Sequence, residues 1–330
     1  MVATNQYVAD SATLLEIYKR AALLKANDER ARKVILSGQI AMVYYSYRGQ
    51  EIIPSVMGQL LRDDDTICTI YRGIHDMLGK GFPLRPLWAE LAGRVTGSCK
   101  GKGGPMHLTY PPKGIMVTTG IVGSSAPIAN GLAWAAQLDK SDRVSVCTFG
   151  DGASNIGAVH EAMNLASIWK LPTIFVCQNN LFAEHTTFEK MTGGQNIAGR
   201  AAGYGMPGVR VNGNDPEEMY SAFAQAVARA RAGEGPTLLE CMTFRFFGHN
   251  FGDDDSYIPK DQKAAAMEAD PVPALRARLI ADRIASEHEL AAIEADIEAQ
   301  IDDALEFALA SPWPEPDDLR FDVFEKEIAA

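Results

Sequence analysis

Cysteine is scarce and unpaired in this sequence. Five cysteines in 330 residues (Cys68, Cys99, Cys147, Cys177 and Cys241) are odd in number and widely spaced, with no Cys-x-x-Cys. Neither a disulfide framework nor a zinc or dithiol site is signalled. Cys147 and Cys177 lie in apolar, strand-like runs and read as core thiols. Long apolar stretches are missing too. Leu171–Cys177, broken by Pro172 and Thr173, is among the longest, far below the roughly 18 residues of a membrane span. A basic excess is also absent. Thirty-one Lys and Arg against 42 Asp and Glu leave a net charge of −11, which argues against binding a phosphate backbone. Residues Met1–Gln6 show neither a basic segment followed by an apolar stretch nor an Arg-rich presequence. A cytoplasmic location, with no nucleic acid and no membrane among the partners, is the expectation.

An apolar fraction of 47% excludes disorder and is enough for a substantial core. Residues 12–47 read as helical, with Leu14, Leu15, Tyr18, Ala22 and Leu23 on one face. Thr66–Ile70 reads as a strand and 87–96 as a helix, followed by a Gly- and Lys-rich loop over Gly97–Gly104. Ala126–Leu138 is a small-residue helix. The strand Val144–Phe149 stops at Gly150, Asn155–Trp169 is a helix, and Pro172–Cys177 is a strand stopped at Asn179-Asn180. The strand Val209–Val211, a helix over 216–231 and the strand Thr237–Phe244 continue the rhythm. Phe247–Lys263 reads as a long loop, a feature often tied to function. Helices over 271–284 and 286–308 close the chain. This alternation predicts an α/β fold, a doubly wound parallel sheet with helices on both faces. It also predicts a single domain over 1–330, with helical additions at about 1–48 and about 270–330.

Two strand ends are chemically loaded. Gly150-Asp151-Gly152-Ala153-Ser154-Asn155 follows one strand and Asn179-Asn180-Leu181-Phe182 the next. In a parallel sheet both lie on the same edge, where ligands bind. A carboxylate and a carboxamide then converge, and the glycines let a phosphate approach backbone N–H groups. Oxygen-only ligands favour a hard cation such as Mg²⁺, so the physical reading is a magnesium–diphosphate site. A Gly-x-Gly-x-x-Gly dinucleotide fingerprint fails at its third glycine, which is Asn155, and the Gly-x-x-x-x-Gly-Lys phosphate loop is missing.

Gly-Asp-Gly followed, after residues 153–178, by Asn-Asn resembles the thiamine diphosphate signature. With Tyr71-Arg72, Gly101-Lys102-Gly103-Gly104-Pro105-Met106-His107, Gly120-Ile121-Val122-Gly123 and Gly248-His249, the sequence resembles alpha subunits of two-chain thiamine-dependent dehydrogenases. These act on pyruvate, branched-chain 2-oxo acids or acetoin. The resemblance runs from about residue 30 to 265 and implies thiamine diphosphate and Mg²⁺ as cofactors. It implies that Asp151 and Asn180 offer side-chain oxygens to Mg²⁺ and Phe182 a backbone carbonyl. Tyr71 and Arg72 would face the cofactor, with Arg72 on the diphosphate. Gly120 and Val122 would meet the aminopyrimidine through backbone groups, and Gly152 and Ala153 the diphosphate. His249 would be the catalytic acid or base beside the thiazolium, with His107 a second candidate. The activating glutamate of the family sits on a separate chain, which implies a beta subunit, a heterotetramer of two alpha and two beta chains, and transfer of the acyl group to a lipoyl acyltransferase.

The sequence also departs from that pattern. The usual His ahead of Gly49-Gln50-Glu51 is Tyr45. The usual His two residues past Tyr-Arg is Ile74, with His75 beside it. The usual Gly-His-Ser is Gly248-His249-Asn250, which removes the family's regulatory phosphorylation serine. The spacing from His249 to Tyr257, with Gly252-Asp253 between, is closer to acetoin-type than to pyruvate-type members. These substitutions motivate an alternative, a non-catalytic or regulatory paralogue that binds a partner. Several residues have plainer readings. His75 is either a displaced substitute or solvent-facing, and His160 either packs or makes a helix–helix hydrogen bond. Lys100 and Lys102 either touch phosphate or, the plainer reading, belong to a solvated basic loop, and Asp253-Asp254-Asp255 is a solvated run in which Asp253 can order the loop. The aromatic run Phe244, Phe246 and Phe247 alternates with Arg245 and packs a strand end.

Overall fold

The computed structural model describes residues 7–194 and 196–322. Helix α1 (Ser11–Leu36) starts at Asp10, whose carboxylate accepts from Thr13 N–H. It ends well short of 47. Gly38 takes a left-handed φ of +73°, and the chain runs irregularly until α2 (Ile52–Leu60). The expected helix over 12–47 is therefore corrected to Ser11–Leu36; a left-handed glycine ends a helix by giving its last carbonyls new partners. Of the expected N-terminal addition, residues 1–6 lie outside the described residues, as do 323–330 at the other end.

Strand β1 (Thr66–Ile70) leads to α3 (Ile74–Gly79) and α4 (Leu84–Leu91). The Gly- and Lys-rich loop follows, then β2 (Ile115–Thr119), α5 (Ser125–Leu138), β3 (Ser145–Gly150), α6 (Gly157–Trp169) and β4 (Thr173–Asn179). A small antiparallel ribbon, β5 (Phe182–Ala183) with β6 (Thr186–Thr187), precedes α7 (Phe188–Met191). β7 (Gly208–Asn212), α8 (Pro216–Arg231) and β8 (Thr237–Met242) complete the sheet, and α9 (Lys260–Glu268), α10 (Pro271–Ala281) and α11 (Glu287–Ala310) finish the fold. Helix α9 begins inside the stretch read as loop up to Lys263. Helix α8 matches its expected span because its signals are local: Asp215 caps Glu217 and Glu218 N–H groups, Pro216 opens the first turn and Arg229 and Arg231 close the last.

The large sheet has the order β2-β1-β3-β4-β8-β7, and every pair is parallel. Side chains alternate between two cores. Val146, Ile174 and Val176 join Leu14, Met219 and Phe223 on one face. Cys147, Phe149, Phe175 and Cys177 join Ala126, Ala129, Ala133 and Val159 on the other. Both faces are covered, so the strands read as near-continuous apolar runs, and the core-thiol reading of Cys147 and Cys177 is borne out.

The strand order reverses between β1 and β3. From β1 the chain moves out to β2, then returns to the far side of β1 as β3. Flanking crossovers diverge there and open a crevice at the carboxyl ends of the strands. Arg72 follows β1 and Asp151 follows β3, so both stand at the mouth of that crevice.

The polar Gly97–Gly104 loop is organised by Glu90 of α4. This buried carboxylate accepts four backbone N–H groups, from Cys99 and Gly101 at one oxygen and Gly103 and Gly104 at the other. Closely spaced backbone donors make such a loop a nest for an anion, and here the anion is internal. Lys100 and Lys102 both pair with Asp322, in keeping with a solvated loop.

Candidate active site

A cavity of about 380 Å³ lies at the switch point. Its lining includes Tyr71, Arg72, Gly120, Val122, Asp151, Gly152, Ala153, Asn180, Phe182 and His249. Segments far apart in sequence meet there because β1, β3 and β4 are adjacent and parallel. His107 is not in the lining. It stands exposed beside it, where a Cβ added to Gly120 would come within 3.6 Å of its ring.

Asp151 is 1% exposed. Its Oδ2 is buried without a hydrogen-bond partner among the described residues, and burial pushes its carboxyl up to about 7 against weaker help from the backbone of Asp151 and Gly152. A buried carboxylate is normally paired or bound to a cation. Asn180 directs its amide N–H to Gln50 Oε1 at 3.0 Å, and its Oδ1 accepts from Phe182 N–H at 3.2 Å. Leu181 between them holds a left-handed φ of +72°, which turns the chain sharply enough to bring Phe182 to the cavity. Gly152 has little room for a side chain, since a Cβ would fall 2.6 Å from Ala183 Cβ. The donor set of carboxylate, carboxamide and backbone oxygen, with the orphaned Asp151 oxygen, fits a hard divalent ion.

The remaining charge is cationic. Arg72 is buried, donates to Ser46 O at 2.5 Å and His249 O at 2.9 Å, and is held down to about 10 by burial and then by Arg245. Arg245 donates to Phe247 O, Glu184 O and Tyr257 Oη. Neither guanidinium has a carboxylate within 4 Å among the described residues, so the cavity suits an anion. Arg245, given no role of its own from sequence beyond alternating with the aromatic run, therefore lines the cavity, as do Tyr45, Met106 and Glu184. The signal for Arg245 was its position just past the carboxyl end of a central strand, on the loaded edge.

His249 is half-buried and has an unpartnered Nδ1. Burial, then Arg72 and Arg245, lower it to about 4, so its ring is neutral at physiological pH. Asp253 holds the backbone on which it sits. Oδ2 accepts His249 N–H at 2.6 Å and the Tyr257 hydroxyl at 2.9 Å, and Oδ1 accepts Asp255 N–H. Tyr45 packs against Tyr71 (4.6 Å between centroids) and edge-on to His249 (5.4 Å), so this substitution lies in the cavity wall. Ile74 is core instead. His75 is 0% exposed, which corrects the solvent-facing reading, and His160 bonds to the Tyr204 hydroxyl.

The sequence matches the dehydrogenase E1 component family over residues 18–317. The chain belongs to that family. One relative, the alpha subunit of acetoin:2,6-dichlorophenolindophenol oxidoreductase of Bacillus subtilis (strain 168), is 37% identical over 311 residues, 94% of this chain and 93% of that protein. The pyruvate dehydrogenase E1 component subunit alpha of Rhizobium meliloti (strain 1021) is 35% identical, over 94% of this chain and 89% of its own. The chloroplastic subunit alpha-3 of Oryza sativa subsp. japonica is 36% identical, over 94% and 75% respectively. The E1 chain is thus an alpha-type subunit of a thiamine diphosphate-dependent dehydrogenase of the 2-oxo acid or acetoin class. Among the described residues no helix is long and apolar enough to cross a membrane.

Proposed function

We propose that this chain is one thiamine-binding domain that holds magnesium thiamine diphosphate in the switch-point cavity. With a beta chain it would decarboxylate a 2-oxo acid or cleave acetoin, and pass the acyl group to the lipoyl group of an acyltransferase. The orphaned Asp151 oxygen carries this reading, since a buried carboxylate at the head of a cationic cavity needs a cation of its own. Asp151, Asn180 and the Phe182 carbonyl would hold Mg²⁺. Arg72 would pair with the diphosphate, with Gly152 and Ala153 giving backbone contacts. Tyr71, Gly120 and Val122 would seat the rings. When bound, the cofactor supplies an electron sink for the bond next to a carbonyl. His249, neutral and anchored by Asp253, would accept or return a proton at its free Nδ1, and His107 at the rim is a second candidate.

The beta chain has support beyond the family's habit. Ile121 (72% exposed), Val122 and Ile128 begin an apolar face beside the cavity, which continues over Trp134, Ile168 and Trp169 of α5 and α6. Contiguous exposed apolar surface marks a partner. We take the assembly to be two alpha and two beta chains, and the five free thiols to fit a cytoplasmic, reducing setting. A non-catalytic paralogue has no use for an unpaired buried carboxylate and an unpaired histidine in one cavity. Calorimetry of the alpha–beta complex with thiamine diphosphate plus Mg²⁺, and separately with NAD, tests the reading. Saturable, Mg²⁺-dependent binding of the first is expected; binding of NAD alone would overturn it.

A further inference from the structure

Beneath the cavity floor lies a buried polar cluster that none of the roles above uses. Asp76 of α3 is 1% exposed, and its Oδ2 accepts from Thr69 Oγ1 of β1 and Thr148 Oγ1 of β3, both at 2.6 Å. Its Oδ1 accepts from Gln178 Nε2 of β4 at 2.7 Å. Thr148 Oγ1 also lies 2.7 Å from Thr69 Oγ1. The far end of the Gln178 amide meets His75 Nε2 at 2.7 Å. The other ring nitrogen of His75, Nδ1, lies 3.0 Å from the carbonyl oxygen of Arg72, an acceptor only, so Nδ1 carries a proton and donates it. The ring is fully buried, and the Tyr47 ring stacks on it at 5.0 Å and 13°.

We propose that His75 is a positioning residue whose ring, held between Gln178 and the Arg72 carbonyl, fixes the Arg72 backbone against the strand ends that carry Asp151 and Asn180. The cluster ties β1, β3 and β4 together two to four residues before each binding loop begins. The functional consequence rests on the cofactor reading above; the bond from the His75 ring to Arg72 does not.

The test uses the alpha–beta complex with histidine-labelled alpha chain. NMR of the ring nitrogens should find one histidine whose Nδ1 proton is hydrogen-bonded to a carbonyl and slow to exchange, a signal lost in His75→Leu. His75→Leu should also weaken magnesium thiamine diphosphate binding by about 10–100-fold, as loss of an outer-shell partner does, with kcat at saturating cofactor nearly retained. A His75 ring with no proton on Nδ1 in the unmodified complex overturns the proposal without any variant having to fold. Unchanged cofactor affinity in a folded His75→Leu complex overturns the positioning role. If the unmodified complex binds no thiamine diphosphate at all, the cofactor reading fails while the His75–Arg72 bond stands on its own.

Discussion

At the scale of single residues, the cavity is a set of groups kept in electrostatically costly states. Among the described residues, Asp151 Oδ2 is buried without a hydrogen-bond partner and neither Arg72 nor Arg245 pairs with a carboxylate. Asp151→Ala should abolish Mg²⁺-dependent cofactor binding while the thermal unfolding midpoint of the cofactor-free complex stays level or rises, because it removes an uncompensated buried acid; unchanged affinity in titration calorimetry would refute the metal assignment. His249 works in the opposite sense. Its pKa is lowered from 6.5 to about 4 by burial and by Arg72 and Arg245. The unfolded chain binds this proton more readily, so the stability contributed by the neutral ring is fully present above about 6.5. It is lost as pH falls from there toward 4. NMR titration of the cofactor-free complex should place the His249 midpoint near 4, and Arg245→Met should move it upward. A midpoint at the ordinary value in the unmodified complex would mean that the ring is solvated and not in the cavity wall.

At the scale of elements, two loops are held by carboxylates that accept backbone N–H groups. Glu90 gathers four such donors from the Gly97–Gly104 loop. Glu90→Gln puts an amino group where an acceptor stood and leaves buried N–H groups unpaired, so a loss of about 1–3 kcal/mol is expected in chemical denaturation. Hydrogen exchange should quicken across that loop first. Asp253 does the same for the segment carrying His249, and Gly248 is what admits it: a Cβ there would lie 2.5 Å from the Asp253 carboxyl carbon. Gly248→Ala should therefore lower kcat through displacement of His249, with a smaller change in cofactor affinity. Equal losses in both would show that the loop serves the cofactor rather than the proton.

At the scale of the whole molecule, the cavity opens beside an apolar face, and the relatives it matches are alpha subunits. Purified alpha chain with thiamine diphosphate, Mg²⁺ and substrate should give no turnover, and added beta chain should restore it. The emission of Trp134 and Trp169, both half-exposed and in ring contact at 5.3 Å, should shift to the blue on assembly. Robust turnover by the alpha chain alone would remove the need for a partner.

Much of this was legible in the chain itself, for identifiable reasons. Period and punctuation marked the central strands and α8, because burial on both faces and end-capping are local demands. The loops after β3 and β4 could be read as a phosphate and metal site, since glycine, carboxylate and carboxamide at strand ends have few other uses. What stayed hidden depended on distant neighbours. The helix stopping at Leu36 rather than near 47, the place of Arg245 in the cavity wall and the burial of His75 all follow from which strands lie side by side. Sequence alone determined the chemistry on offer, because residue type and local spacing set which groups can bind an anion or a metal. Tertiary structure alone decided which of those groups meet and in what state of charge, because the order of parallel strands and the loss of water between them are properties no single segment possesses.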